Sequence, residues 1–332
     1  MHLGRVNLVT WKTNQNLIRT FVYILFLLNS GPLYAQVVPV PAWEEEDEEA
    51  ERSWEQVFIE DNVRFSRWFD SVAEGLDLFL VGKKVTEKRN ESSVRIENST
   101  FSKEGEKVSN STALSINPRF PNFEEYWQLK FTTYDEREDS RNAQSTYLRQ
   151  IPRERNVGAS VGFFNKLGSI RTAFQPRVEL QNPLKISHSL SFETVADYKS
   201  WQINPRIEFY ANPAKGVGIF TALNFNFYLT TKFTFTLINQ GDYIEKQNRF
   251  EATNGFSLGQ VLTRRISLGY GILAFTNNRP GTHLEGYSAS VTFSHLIYRR
   301  ILDYQLIPHL DFERIKKFKG QAGITLNINL NF

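Results

Sequence analysis

A two-residue alternation of apolar and polar side chains runs through the chain from about residue 90 to residue 332. It is most regular in GITLNINLNF (323–332), where an apolar residue takes every second position. Because successive side chains of a β-strand point to opposite faces, this period predicts strands with one apolar and one polar face. Similar segments, such as SIRTAFQPRVEL (169–180), predict about fourteen strands in all, or twelve if some turns are kinks within strands.

The length of these segments distinguishes between two kinds of all-β fold. Many of them reach ten residues, whereas strands of soluble proteins cluster at roughly 5–6 and a tilted strand needs roughly 9–11 to cross a bilayer. Their apolar faces are continuous and aromatic, and the chain contains 27 Phe. Lipid is the natural solvent of such a surface. Closure of the sheet pairs the backbone N–H and C=O groups of the edge strands, which hydrocarbon cannot hydrogen-bond. The predicted fold is therefore a transmembrane antiparallel β-barrel, with a secreted soluble β-protein that binds partners as the alternative.

The connectors between the predicted strands differ in length. Short ones such as NKLG (165–168) alternate with longer or more polar ones, as in barrels with short turns on one side of the membrane and loops on the other. The longer connectors lie at residues 135–155, 239–248, 276–285 and 312–319.

Three segments precede the predicted barrel. Residues 1–35 have the charged, apolar and small-residue layout of a signal peptide, with cleavage near Ala35. Residues 36–62 contain a dense acidic block and predict a disordered linker. Residues 63–88 form an amphipathic helix and a lead-in, and the barrel is predicted to occupy residues 89–332.

The amphipathic helix is predicted at residues 63–82, where apolar side chains recur at three- and four-residue steps. Its apolar face needs a partner surface. The helix could plug a barrel mouth or lie on a membrane surface.

The composition excludes several kinds of chemistry. The absence of cysteine excludes disulfides, cysteine-ligated zinc and a thiol nucleophile. The 39 Lys and Arg residues nearly balance the 36 Asp and Glu residues, so no basic footprint indicates a nucleic-acid partner. The sequence contains no glycine-rich phosphate loop and no metal-ligand cluster, and we expect no cofactor or metal.

The signal-like start, the alternating strands and the terminal aromatic residue resemble those of Gram-negative outer-membrane β-barrel proteins. In that class a final strand with apolar residues at alternate positions is recognised as a membrane-insertion signal. The matching residues are Ile324, Leu326, Ile328, Leu330 and Phe332. The resemblance covers residues 90–332 and identifies a class without a subfamily. It implies an outer-membrane location, with outer-membrane lipid, the barrel-assembly machinery and periplasmic chaperones as partners.

The polar faces of the strands would line the lumen of such a barrel, where charges of both signs can pair. The candidate lumen-lining residues are Lys130, Arg171, Arg177, Glu179, Lys185, Glu193, Arg206, Glu208, Asp303 and Asp311. Two uses of this lumen stay open. One is a narrow, porin-like channel for small polar solutes, and the other is a closed, salt-bridged interior of a structural envelope protein.

Some barrels of this class are hydrolases of lipid or peptide, so the histidines need consideration. His188 and Ser189 are adjacent and should point to opposite faces of a strand, which prevents them from acting as a pair. His309 and Asp311 share one strand face and could touch, but such a pair more often stabilises a wall than catalyses a reaction. We therefore predict no catalytic residue and no enzyme activity, with a barrel hydrolase as the alternative.

Overall fold

The strands of this chain form one antiparallel sheet. The computed structural model describes residues 60, 62–67, 92–118, 127–149, 156–298 and 301–332. The predicted signal peptide, nearly all of the acidic linker and most of the amphipathic helix lie outside these residues. The strands are β1 Ser93–Lys103, β2 Ser109–Asn117, β3 Trp127–Thr132, β4 Gly158–Leu167, β5 Ile170–Glu179, β6 Lys185–Glu193, β7 Ala196–Tyr198, β8 Trp201–Asn212, β9 Gly216–Tyr228, β10 Phe233–Ile244, β11 Arg249–Val261, β12 Ile266–Asn277, β13 His283–Tyr298, β14 Leu302–Glu313 and β15 Gly320–Asn331.

The sheet closes into a barrel where β1 pairs with β15. Neighbouring strands in the chain pair with each other, and the β1–β15 ladder extends from the Arg95–Asn331 pair to the Lys103–Gly323 pair. The short β7 continues β6, because both pair with β8 in one register that is interrupted opposite Pro205. Counting β6 and β7 as one strand reduces the fifteen strands to fourteen in the wall. The prediction of about fourteen strands is confirmed, and the alternative of twelve is wrong.

Side chains alternate between the outer and inner surfaces of this wall. In β15, Ile324 and Ile328 are 44% and 41% exposed on the outside, whereas Thr325 and Asn327 are 0% and 1% exposed on the inside. The same alternation on the other strands gives the barrel an apolar outer surface. Large apolar side chains exposed there include Phe131, Phe163, Phe174, Ile186, Ile207, Phe209, Ile219, Phe256 and Ile272.

The two ends of the barrel differ in their connectors. One end, here the Phe332 end, carries two-residue turns at 168–169 and 199–200. The opposite end, here the Lys103 end, carries the long connection between β3 and β4. The predicted connector at 239–248 is wrong in its first half, because β10 continues to Ile244.

That extension of β10 has a physical cause. The carboxylate of Asp242 accepts a hydrogen bond of 2.8 Å from the Tyr210 hydroxyl inside the barrel. The polar residues of this segment indicate a loop in the sequence. Inside the lumen they find hydrogen-bond partners, so the strand continues through them.

The described part of the connection between β3 and β4, residues 133–149, folds into the lumen. We call these residues the inward connector. It contains helix α1 (Glu136–Arg141) and one turn of π-helix (Gln144–Leu148). The Asp135 carboxylate caps α1 by accepting from the backbone N–H groups of Arg137 and Glu138, at 3.0 and 3.2 Å.

An apolar anchor holds the end of the inward connector. Leu148 is 1% exposed and packs against Ile238 of β10 and Leu273 of β12, with Tyr147 and Phe275 beside them. The sequence predicts residues 135–155 as a loop at the barrel end. That interpretation is wrong for residues 135–149, because this apolar contact and the charged contacts described below become available only when the wall has formed.

Residues 62–67 are helical, and the described part therefore agrees with the predicted amphipathic helix. The Asn62 side chain donates to the backbone carbonyl of Asn331 at 3.1 Å. The Phe65 and Phe332 rings lie edge to face with centroids 4.9 Å apart. The segment thus packs against the end of β15. Within the described ranges, none of the helices has both the length and the hydrophobicity needed to cross a bilayer.

Candidate functional site

The main cluster of charged side chains lies inside the barrel where the inward connector meets β8. The Glu208 side chain is fully buried, and Arg141 of α1 donates from Nη1 to Glu208 Oε1 at 2.5 Å. Arg206, two residues away on the same inner face, forms an ion pair with the other carboxylate oxygen. Arg137 Nη1 lies 3.9 Å from that same oxygen. One carboxylate therefore holds three guanidinium groups, two of which belong to the inward connector.

Neighbouring side chains complete this arginine cluster. Glu193 of β6 accepts a hydrogen bond of 3.4 Å from Arg137 Nη1. The guanidinium of Arg141 lies 4.0 Å above the centre of the Tyr210 ring. The guanidinium of Arg206 lies 5.1 Å from the centre of the Phe220 ring. The cations are thus stabilised by both carboxylates and aromatic faces.

Burial changes the acidity of two groups on the inward connector. It lowers the pKa of the Arg137 guanidinium, and the adjacent Arg206 lowers it further, while Glu208 and Glu193 oppose this effect. Burial also raises the pKa of the Tyr147 phenol, against a hydrogen bond with Gln240. Arginine remains protonated in proteins, so the cluster keeps its charges at neutral pH.

Contacts with other parts of the wall fix the inward connector across the lumen. Thr325 of β15 donates from its hydroxyl to the Leu148 carbonyl at 3.2 Å. Arg149 lies 3.9 Å from Glu97 of β1. Glu138 pairs at 2.8 Å with Lys215, in the turn between β8 and β9. The connector therefore contacts both closing strands, β1 and β15, and also the turn between β8 and β9.

Two neighbouring cavities lie in the lumen among the described residues. The larger, of about 330 Å³, lies towards the Lys103 end and is lined by Arg141, Lys215 and Glu251 among others. The smaller, of about 170 Å³, lies nearer the Phe332 end. Phe220 and Gln240 line both cavities and thus separate them.

A second buried polar cluster lies in the wall near the Lys103 end. His309 Nδ1 is 3.1 Å from Asp311 Oδ2, as the sequence pattern anticipates. Ser288 donates to the other oxygen of Asp311 at 2.7 Å, and Lys103 Nζ lies 3.5 Å from the carboxylate. The Phe101 ring stacks on the His309 ring, and the His309 side chain is 0% exposed. These contacts are typical of a structural pair, and the absence of enzyme activity stays a prediction.

The structure places the ten candidate lumen residues on inner strand faces, in different surroundings. Glu193, Arg206 and Glu208 meet in the arginine cluster, and Asp311 belongs to the His309 cluster. Lys130 pairs with Glu136 at 2.5 Å, and Asp303 accepts from Asn329 at 2.6 Å. Arg177 and Glu179 are buried near the Lys103 end. Lys185 pairs with Glu179 at the end of its strand. Arg171 is exposed, and its guanidinium lies 4.8 Å from the centre of the Phe164 ring.

Two arginines of the inward connector contribute to this site and are not among the predicted lumen residues. Arg137 and Arg141 are four residues apart, which places them on one face of a helix. Asp135 stands at the position of a helix cap before them. This combination predicts a short helix that presents two arginines together. Across the described ranges, no group of His, Asp and Glu side chains has the arrangement of a metal site.

We expect Glu208→Gln to lower the free energy of unfolding by about 3–5 kcal/mol, because removing a buried carboxylate leaves guanidinium charges without their partner. The measurement is denaturant unfolding of the folded protein in detergent, followed by tryptophan fluorescence. Limited trypsin digestion should also show faster cleavage after Arg141.

Glu251→Gln is the matched control. Glu251 pairs with Arg249 at 2.7 Å, but its side chain is 45% exposed. We expect a loss of about 0–1 kcal/mol from this variant, as for other pairs that are accessible to solvent. Equal stability losses in the two variants would contradict the role assigned to Glu208.

Known proteins resemble this chain only weakly. No protein-family model matches this sequence, and no curated protein matches it. Among solved structures, a loop-deletion mutant of OmpT, an outer membrane protein of Vibrio cholerae, is similar at 7% identity and a TM-score of 0.46, covering 73% of this chain and 99% of its own.

Two further structures show a similar degree of likeness. The outer membrane channel DcaP of Acinetobacter baumannii is similar at 8% identity and a TM-score of 0.42, covering 73% of this chain and 96% of its own. A bacterial polysaccharide outer membrane secretin is similar at 10% identity and a TM-score of 0.43, covering 74% of this chain and 100% of its own. Similarity this low supports no conclusion about this chain, and its closed fourteen-strand barrel is established by its own strand pairing.

Proposed function

We propose that this chain is an outer-membrane β-barrel that acts as a narrow channel for small polar solutes. The observation that carries the proposal is the pair of lumen cavities, of about 330 and about 170 Å³, which meet at Phe220 and Gln240. A solute passing through the lumen would cross this constriction beside the arginine cluster. The lumen of the proposed channel is therefore narrow and charged on both sides of its tightest point.

The outer surface supports a membrane location for this barrel. Large apolar side chains cover the outside of the wall, where water would be a poor solvent. Closure through β1 and β15 pairs the two strands that would otherwise be edges, as hydrocarbon requires. Recognition of Ile324 to Phe332 by an assembly machinery, the periplasmic chaperones and the cleavage near Ala35 stay predictions.

The inward connector supports the small size of the proposed solute. Without it, a wall of fourteen strands would enclose a backbone radius of roughly 14 Å. The connector crosses this space and is anchored at Leu148 and at Glu208. The remaining cavities have room for small solutes and not for folded chains.

A structural envelope protein with a closed lumen is the second candidate. The same anchors favour it, because Leu148 and the arginine cluster fix the connector from several sides. The two candidates differ in one property. A channel conducts ions across a bilayer, and a closed barrel does not.

We expect purified, folded protein to produce small conductance steps in planar lipid bilayers. Phe220→Ala should raise the conductance of each step severalfold, because the Phe220 ring separates the two cavities. Phe256→Ala is the control, since it removes an identical ring from the outer surface, where Phe256 is 44% exposed. Its conductance should match that of the unmodified protein. A complete lack of steps in the unmodified protein and in Phe220→Ala, both folded, would reject the channel and favour the closed barrel.

The membrane location has its own test in the outer surface of β12. We expect Ile272→Arg to lower the free energy of unfolding from lipid vesicles by about 2–4 kcal/mol, the cost of a cation near the middle of the hydrocarbon. Ile315→Arg serves as the control, because Ile315 is 81% exposed on the turn between β14 and β15. It should change stability by less than about 0.5 kcal/mol. If Ile272→Arg were equally harmless, the outer surface would not face lipid.

A further inference from the structure

A small pocket of about 50 Å³ lies between the inward connector and the wall, apart from the two cavities of the proposed passage. Its wall side is formed by β3, β4, β5, β6 and β8, and its other side by the start of the connector. Basic side chains outnumber acidic ones in its lining. Four cations, Lys130, Arg137, Arg141 and Arg177, face two acids, Asp135 and Glu136.

Both acids of this pocket are engaged in other contacts. Asp135 caps α1 by accepting from two backbone N–H groups. Glu136 pairs with Lys130 at 2.5 Å and accepts from the Ser115 hydroxyl at 3.0 Å. These carboxylates are thus occupied by the helix and Lys130. Arg137 and Arg141 pair with Glu208, so Arg177 is the cation left to be accounted for.

Arg177 is a buried cation that contacts neutral oxygens. It is 5% exposed, and it donates from Nη1 to the Thr132 hydroxyl at 2.6 Å and from Nη2 to the backbone carbonyls of Asn156 and Thr132. Among the described residues, no carboxylate lies within ion-pair distance of this guanidinium. A buried charge without a counter-charge is costly, so an anion beside Arg177 would be favoured.

Three residues that line this pocket each have a buried donor with no hydrogen-bond partner among the described residues: Nε of Arg141, Nε of Arg177 and the hydroxyl of Ser189. All three residues are more than nine-tenths buried. Arg177 pairs with Ser187, so Ser189 is its diagonal neighbour on the same inner face, within about 8 Å. Ser189 also pairs with Tyr210, over whose ring the Arg141 guanidinium lies. The strand register thus makes Ser189 a neighbour of Arg177 and of the ring that Arg141 covers.

We propose that this pocket binds a small inorganic anion of the size of chloride. A water molecule has two lone pairs and cannot accept from all three donors, whereas a halide accepts from any number of directions. Two of the donors belong to cations, which strengthens their hydrogen bonds to an anion. The bound anion would neutralise Arg177 and join β5 and β6 to the inward connector.

This inference goes beyond the proposed channel and does not require that the lumen conduct. The test is the line broadening of the chloride-35 resonance caused by the folded barrel in uncharged detergent, with chloride as the only inorganic anion. We expect saturable excess broadening with the unmodified protein. Arg177→Gln should abolish the saturable part, whereas Arg171→Gln, which removes an exposed arginine from the same strand, should leave it unchanged.

Ser189→Ala provides a second variant in case Arg177→Gln fails to fold. It removes one donor and no charge, so we expect about tenfold weaker chloride binding, the value of one hydrogen bond to an ion. Folding of each variant is checked by heat-modifiable mobility on gels. Absence of saturable broadening with the unmodified protein would overturn the proposal. Equal broadening in the unmodified protein, Arg177→Gln and Ser189→Ala would place chloride elsewhere and overturn it as well.

Discussion

The pairing of β1 with β15 is the constraint on which the rest of the structure depends. It joins residues more than two hundred positions apart along the chain and leaves neither strand as an open edge. A sheet that must pair every strand on both sides fixes the direction of each side chain, because a shift by one residue would exchange the two faces. The separation of Ile324 and Ile328 from Thr325 and Asn327 follows from this closure. The apolar exterior and the charged interior are therefore two consequences of one register.

Closure also creates an interior that the wall side chains do not fill, and the inward connector occupies much of it. A lone buried charge is costly, so charges in this space are stabilised by partners. Glu208 meets this requirement for Arg141, Arg206 and Arg137 together. The apolar contact of Leu148 adds a second anchor at the far end of the connector. The size of the lumen is thus set by one loop, and the wall alone would leave a wider opening.

The features that repeat along the chain could be predicted from the sequence, and those that depend on distant partners could not. The alternation that ends at Phe332 predicts strands, faces and the approximate strand number, because each property is local. The inward position of Arg141 depends on Glu208, which lies 67 residues away. The continuation of β10 through Asp242 likewise depends on Tyr210. Polar residues of a barrel can lie in a loop or face the lumen. Their position depends on where their hydrogen-bond and ion-pair partners lie.

The inward position of the connector is the central claim, and a disulfide cross-link tests it most directly. Because the chain has no cysteine, a pair of introduced cysteines can form only one intramolecular bridge. Leu148 and Thr325 touch through the 3.2 Å hydrogen bond, so Leu148→Cys with Thr325→Cys should cross-link under mild oxidation in the folded barrel. Leu148→Cys with Ile324→Cys, whose second site lies on the outer surface, should not. A folded protein in which neither pair cross-links would contradict a connector that lies inside the lumen.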